Sequence, residues 1–170
     1  EFCHEDGYHI DGKVLSGSQL GDLYSSWLDN YPIASLEDAF GEDDWVSWSE
    51  FTTREGHRVQ VVGDDLYVTN PTRLAKGISK GSSNAILIKL NQIGTVSETL
   101  RVIEMARSAG FATVISHRSG ETSDDIIADF AVGTDAGQIK TGAPARSDRT
   151  SKYNQLLRIA EQCDVFTNLF

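Results

Sequence analysis

Short runs of apolar and β-branched residues alternate along the chain with longer stretches in which apolar residues recur every three or four positions. The short runs occupy residues 33–37, 59–64, 85–89, 112–117 and 138–140. Such runs are typical of buried strands, and the intervening periodicity is typical of amphipathic helices. The pattern therefore predicts an α/β fold in which repeated βα units form a sheet of about five parallel strands.

Capping residues and apolar stripes predict helices between these strands. In the first helix Ser18 is the candidate cap, and five apolar residues share one face: Leu20, Leu23, Tyr24, Trp27 and Leu28. A later helix starts at a capping box of Thr95 and Glu98, and it is expected to bury Val96, Leu100, Ile103 and Ala106. Further helices are predicted over residues 43–53, from Pro71, after a cap at Ser123, and around residues 153–160. No linker or low-complexity segment interrupts the series, so residues 1–170 are predicted to form a single domain.

The amino-acid composition excludes some classes of binding partner. The 170 residues include 15 basic and 25 acidic side chains, which give a net charge of −10. A chain this acidic has no positive field to attract phosphate backbones or anionic lipids, so nucleic acid is not an expected partner. No run approaches the roughly 18 apolar residues of a membrane span, and the first residues show no secretion-signal pattern. We therefore expect a cytoplasmic protein with no membrane span, in which Cys3 and Cys163 are free thiols.

Charged or titratable residues stand at the carboxyl end of every predicted strand. They are Glu37, Asp64, Lys89, His117 and Lys140, and successive members lie 23 to 28 residues apart. In a (β/α) barrel of the TIM type, these strand ends meet on the one face that carries the chemistry. A single charged residue after a strand is more often a solvated turn residue. Their recurrence at five successive strand ends favours a shared site.

The residue types suggest a metal-assisted proton transfer. Glu37 and Asp64 supply the hard oxygen ligands that Mg²⁺ prefers, whereas no Cys or His cluster suits zinc. Two lysines close to a divalent cation disfavour each other's charge, so one of Lys89 and Lys140 is expected to lose its proton and act as a base. Residues 116–122 place a guanidinium and a hydroxyl beside a glycine, which is either a phosphate cradle or a polar turn.

Several motifs, in the same order along the chain, are similar to those of enolases. They are Ser35-Leu36-Glu37-Asp38, Val62-Gly63-Asp64-Asp65-Leu66 leading into residues 68–71, Ile88-Lys89-Leu90-Asn91-Gln92-Ile93-Gly94, residues 116–122, residues 138–144 with Arg146, and Lys152-Tyr153-Asn154-Gln155-Leu156. The resemblance extends from about residue 20 to residue 161. It implies a partial enolase barrel of the (β/α) TIM type, without the N-terminal domain that enolases carry.

The resemblance also implies an activity and a role for each site residue. Enolases are lyases of glycolysis that interconvert 2-phosphoglycerate and phosphoenolpyruvate with Mg²⁺. By similarity, the metal ligands are Glu37 and Asp64, and the general base that removes the α-proton is Lys89. The remaining substrate-site residues implied by similarity are Lys140 at the substrate carboxylate, Arg118 and Ser119 at the phosphate, and His117 beside them.

Other parts of the enolase pattern have no match in this sequence. A complete enolase barrel has eight strands, whereas five are predicted here. A third carboxylate ligand is expected upstream of the Glu1-Phe2 pair, and the glutamates that serve as the general acid and its helper have no counterpart. Residues 7–16 and the residues after Glu161 also depart from the family. The chain is thus expected to be a fragment of a longer enolase. The alternatives are a deliberately designed partial barrel and a diverged paralogue.

An unclosed barrel has consequences for partners and function. It exposes two strand edges and an apolar inner face, so we expect a homodimer or pairing with missing barrel segments. A non-catalytic binding or scaffold module derived from enolase is the alternative function, and another acid dehydratase of the enolase superfamily is a third. Retention of Glu37, Asp64, Lys89 and Lys140 favours chemistry, because a binding module does not require cations beside metal ligands.

Overall fold

The computed structural model describes residues 2–163. Its strands are β1 (Cys3–His4), β2 (Gly7–Ile10), β3 (Lys13–Leu15), β4 (Ser35–Glu37), β5 (Gln60–Gly63), β6 (Ala85–Ile88), β7 (Ala112–Ser116) and β8 (Ile139–Lys140). Its helices are α1 (Gly17–Asn30), α2 (Trp45–Glu55), α3 (Pro71–Lys80), α4 (Leu90–Ile93), α5 (Val96–Ser108), α6 (Ile126–Gly133) and α7 (Ser147–Ala160). None of the helices in this part of the chain is long and apolar enough to cross a membrane.

The main sheet is parallel and follows the order of the chain. Its five strands run β4-β5-β6-β7-β8, and each pairs in parallel with its neighbour in sequence. Helices α2, α3, α5 and α6 lie in the connections between consecutive strands, as in repeated βα units. The predicted α/β fold with five parallel strands is confirmed.

The sheet curls so strongly that side chains on distant strands meet. Gln60 of β5 and Gln138, just before β8, exchange two amide hydrogen bonds of 2.9 and 2.8 Å. The Nζ of Lys140 on β8 lies 2.5 Å from Oε1 of Glu37 on β4. In a flat sheet these outermost strands would stand about 19 Å apart, at roughly 4.8 Å per strand spacing. Contacts at both ends of the strands therefore define a half-barrel with a concave face.

Each central strand divides its side chains between two cores. Ile86 and Ile88 of β6 join the larger core, in which the sheet packs against the helices, whereas Ala85 and Leu87 join a small separate cluster on the concave face. Val62, Ala85, Leu87 and Val114 of that cluster are all at most 8% exposed. The expectation that the inner face stands in water is wrong, because the curl of the sheet brings its side chains together.

The outer core is rich in aromatic side chains. Phe40 packs edge-on against Tyr24, Trp48 and Phe51, with ring centroids 5.7 to 5.9 Å apart. Trp48 and Phe51 are buried in α2. Edge-on pairs of this kind favour one geometry as well as burial. This cluster fixes α1 and α2 against each other beside the start of the sheet.

The structure differs from the sequence predictions in the caps of two helices and in an additional small sheet. Helix α1 is capped by Ser16, in a capping box with Gln19, instead of by Ser18, and α6 begins after Asp125 instead of Ser123. Residues 3–15 form a three-stranded antiparallel sheet that the sequence pattern did not predict.

The buried stripe of α5 is also rotated relative to the prediction. It consists of Thr99, Val102, Ile103 and Ala106. Leu100 is 44% exposed because it follows Thr99 by about 100° around the helix and lies on the flank of the stripe. Val96, in the first turn, is 50% exposed. The prediction is confirmed for Ile103 and Ala106, which are buried, and wrong for Val96 and Leu100.

Candidate active site

The structure brings the five strand-end residues to one edge of the sheet. Glu37 and Lys140 are the last residues of β4 and β8. Asp64, Lys89 and His117 directly follow β5, β6 and β7. Because all five strands are parallel, these positions share the carboxyl edge of the half-barrel.

Asp64 and Lys89 form a buried ion pair. The Nζ of Lys89 lies 2.7 Å from Oδ1 and 2.6 Å from Oδ2 of Asp64, so one ammonium contacts both carboxylate oxygens. The two side chains are 12% and 9% exposed. Charges this far from water need a partner, because an unpaired buried charge is strongly destabilising. The pair places a candidate metal ligand and a candidate base in direct contact.

Glu37 and Lys140 form a second, more accessible pair at the same edge. Their side chains are 33% and 44% exposed, and the contact joins the two outermost strands of the sheet. A pair with this exposure exchanges easily with water and with charged ligands. Two carboxylates and two ammonium groups therefore lie together at the carboxyl edge of the strands, which forms the mouth of the half-barrel.

Asp38 holds the loop that carries Asp64. Its carboxylate accepts hydrogen bonds from the backbone N–H groups of Asp64 at 2.8 Å and Asp65 at 2.9 Å. Burial raises the pKa of Asp38 to about 6, the neighbouring carboxylates of Asp64 and Asp65 add to this, and the two N–H donors oppose it. Asp38 adopts a positive φ of 46°, which turns the chain immediately after β4.

The three aspartates form a cluster of oxygen ligands. Each of Asp38, Asp64 and Asp65 offers a carboxylate oxygen, and these oxygens lie within 4.8 Å of one another. Neither Asp38 nor Asp65 was predicted to belong to the site. Their position directly beside Glu37 and Asp64, at the same strand ends, was the available signal.

Thr69 positions the backbone at Lys89. Its buried hydroxyl accepts a hydrogen bond from the Lys89 backbone N–H at 3.0 Å and donates one to Oε1 of Gln92 at 2.8 Å. Thr69 and the preceding Val68 both adopt positive φ, at 54° and 44°. Such conformations are uncommon for β-branched residues and are retained only where the surroundings hold them. No pattern in the sequence indicated this role.

His117 presents a ring nitrogen with no hydrogen-bond partner. Its backbone N–H donates to the carbonyl oxygen of Lys140 at 3.0 Å, which joins β7 to β8. Within residues 2–163 its Nδ1 is buried and unpaired, and so is the hydroxyl of Thr141, the residue after Lys140. Burial lowers the pKa of His117, which favours the neutral imidazole. Unpaired buried polar atoms at a strand edge are candidates for contact with a ligand.

The turn after His117 carries the candidate phosphate binders. Arg118 and Ser119 are exposed. Nη1 of Arg118 lies 3.4 Å from Oδ1 of Asn91, and its backbone N–H donates to Oε1 of Glu121 at 2.9 Å. Glu121 in turn contacts Lys152 of α7, which is fully buried. Lys152 belongs to one of the motifs similar to those of enolases, but no role was predicted for it.

Comparisons with known proteins agree with this architecture. The family model described as "Enolase, C-terminal TIM barrel domain" matches residues 2–167. An enolase of Natranaerobius thermophilus is 56% identical over 164 residues, which cover 95% of this chain and 38% of that enolase. The chain thus spans 38% of the length of this curated relative. A family match over nearly all residues, at this level of identity and with the curled parallel sheet, shows that the chain belongs to the enolase C-terminal barrel family.

Proposed function

We propose that this chain carries the metal-ligand and substrate-binding part of an enolase active site. The reaction is the reversible, Mg²⁺-dependent dehydration of 2-phosphoglycerate to phosphoenolpyruvate in glycolysis. The observation that carries this proposal is the meeting of the Asp64–Lys89 and Glu37–Lys140 pairs at one strand edge. Membership of the enolase family supports the same reaction.

The donor set fits a hard divalent cation. Glu37 and Asp64 would hold the ion, and the oxygens of Asp38 and Asp65 lie beside Asp64. These are oxygen ligands, and Mg²⁺ takes oxygen in preference to sulfur or nitrogen. When bound, the ion would neutralise negative charge on the substrate carboxylate. Because Lys89 and Lys140 now contact these oxygens, cation binding should compete with both lysine contacts.

The two lysines then have distinct tasks. Lys89, released from Asp64 and uncharged, would take the proton from the carbon next to the substrate carboxylate, so that the proton ends on Nζ. Lys140 would keep its proton and hold the carboxylate, whose negative charge grows as the carbon is deprotonated. Arg118 and Ser119 would bind the phosphate, and His117 would contact the substrate beside them.

The partners and location follow the family. The edge strands β4 and β8 leave backbone groups available for pairing, so we expect a homodimer or pairing with further barrel strands. The expected location is the cytoplasm, and the expected ligands are the two small phosphorylated acids. The general acid has no counterpart in this sequence, so turnover by this chain alone should be very low, by a factor of about 100 or more.

Calorimetric titration with Mg²⁺, with and without 2-phosphoglycerate, tests the proposal. The wild-type chain should bind Mg²⁺ in the micromolar to millimolar range and should bind it more tightly with 2-phosphoglycerate present. Asp64→Asn and the more exposed Glu37→Gln should each weaken binding by about tenfold or more, equivalent to roughly 1.4 kcal/mol. Glu104→Gln, an exposed change on α5, is the control and should have no effect. Binding that is absent, or unchanged in both site variants, contradicts the proposal.

A further inference from the structure

We infer that Lys152 is a positioning residue for the turn that carries Arg118 and Ser119, and that it acts through Glu121. The geometry stands independently of the ligand, whereas the identification of that ligand as a phosphate rests on the proposed function. Lys152 lies on α7, which is far from this turn in sequence and adjacent to it in space.

Lys152 is a fully buried cation that contacts three oxygen atoms. Its Nζ donates to the carbonyl oxygen of Thr122 at 2.7 Å and to that of Asp148 at 2.5 Å, and it lies 3.1 Å from Oε2 of Glu121. A lysine ammonium has three N–H donors. Two of them are accepted by these carbonyl oxygens, and the Glu121 carboxylate supplies the opposite charge. Two of the three oxygen atoms belong to the segment after Arg118. The ammonium thus holds that segment to α7.

Glu121 connects Lys152 to the backbone of Arg118 through its two carboxylate oxygens. One oxygen of its carboxylate contacts Lys152, and the other accepts the Arg118 backbone N–H at 2.9 Å. Among the described residues, the other recorded polar contact of Arg118 is the long one from Nη1 to Asn91, at 3.4 Å. Arg118 and Ser119 are otherwise exposed. The position of the Arg118 backbone therefore depends on Glu121, and the orientation of Glu121 depends on Lys152.

A structural role alone does not explain a charged residue at this place. Replacing a buried ion pair with apolar residues of similar volume is often neutral or stabilising, so burial of Lys152 is weak evidence for stability. Recognition of an anion by a guanidinium and a hydroxyl does require a fixed geometry, and a displacement of about 1 Å can reduce function by roughly 100-fold. The Lys152–Glu121 contact supplies that fixed geometry behind an exposed turn.

The test measures inorganic phosphate binding and backbone protection in the same chain by NMR. Lys152→Met and Glu121→Gln should each weaken phosphate binding by about tenfold and speed amide exchange at Arg118 by at least as much. If Lys152 acts through Glu121, the double variant should be no worse than either single one. The matched control is Leu156→Ala, one turn further along α7 and half-buried, which should lower the melting temperature and change neither measurement.

Each outcome decides a separate question. Equal loss of phosphate binding in Lys152→Met and Leu156→Ala, or additive losses in the double variant, overturns the inference, because either result indicates general destabilisation. If Lys152→Met does not fold, Glu121→Gln decides alone, since it leaves Lys152 with its two carbonyl acceptors. If the wild-type chain binds no phosphate, the proposed function is contradicted. If its Arg118 amide is nevertheless protected from exchange and Glu121→Gln removes that protection, the positioning role is supported.

Discussion

Lys140 and Glu37, 103 residues apart in sequence, are joined by an ion pair of 2.5 Å between the outermost strands of the parallel sheet. The contact connects the two edge strands of the half-barrel at their carboxyl ends. A second pair at that edge, Lys89 with Asp64, is several-fold less exposed. The difference in burial between the two pairs predicts different energetic roles.

Removing one partner of the buried pair should be far more costly than removing one partner of the exposed pair. Lys89→Met leaves the Asp64 carboxylate uncompensated and should lower the free energy of unfolding by about 3–5 kcal/mol. Lys140→Met should lower it by about 1 kcal/mol or less. Urea unfolding measures both. Lys89→Met with Asp64→Asn should recover much of the loss, and a double variant as unstable as Lys89→Met would contradict this explanation.

The amide pair at the opposite end of the strands should stabilise the curl. Gln60→Ala or Gln138→Ala leaves the other amide with unmet hydrogen bonds, so each should lower the free energy of unfolding by about 1–3 kcal/mol. The double variant should lose less than the sum, because the second change removes the unpaired group. Gln162→Ala, an exposed amide near the end of the described chain, is the control. Strictly additive losses would show that the two amides act independently.

Glu55 should make stability depend on pH in the acid range. Its hydrogen bond from Arg58 lowers the pKa of Glu55, burial opposes this, and the hydroxyl of Ser25 assists it. Because the folded pKa lies below the ordinary value of 4.5, the ionised form stabilises the fold above pH 4.5 and loses that effect as the pH falls through the folded pKa.

Melting temperatures of Glu55→Gln and wild type, measured from pH 7 to pH 3, check this prediction. The variant should be less stable near neutral pH by about 2 kcal/mol, and the difference should shrink as the medium becomes acid. Glu104→Gln on α5 should follow the wild-type profile. A difference between Glu55→Gln and wild type that is constant with pH would exclude the ionic origin.

The cap of α1 offers a pair of variants two residues apart. Ser16 accepts a hydrogen bond from the Gln19 backbone N–H and completes a capping box, whereas Ser18 lies exposed inside the helix. Ser16→Ala should therefore lower the free energy of unfolding by about 1 kcal/mol. Ser18→Ala should be neutral or slightly stabilising, because alanine is the better helix former. Equal losses in thermal unfolding would contradict the assignment of the cap.

The sequence predicted the sheet because short apolar, β-branched runs alternate with stretches that have helical periodicity. The run of Ala85 to Ile88 followed by Lys89 is the clearest case. Residues 3–15 gave no such signal, because their strands are two to four residues long and mostly exposed. Capping positions were wrong where two serines compete, as at Ser16 and Ser18.

The same reasoning explains which parts of the candidate site could be predicted. Glu37, Asp64, Lys89, His117 and Lys140 were found because their positions repeat with the strands. Lys152 was missed because analysis of apolar stripes expects apolar residues at buried helix positions. The roles of Asp38 and Thr69 depend on backbone contacts formed between distant turns, which no periodicity in the sequence reports.

The alternation of side chains along the strands links the candidate site to folding. Gln60 and Val62 of β5 and Asp64 directly after it share the concave face, so a slip of one residue would turn all three toward the helices. Such a slip would break the amide pair, bury a carboxylate among apolar side chains and deprive Lys89 of its partner at once. The charged residues at this strand edge therefore favour the correct strand register, because a misregistered chain is destabilised by the same residues that form the candidate site.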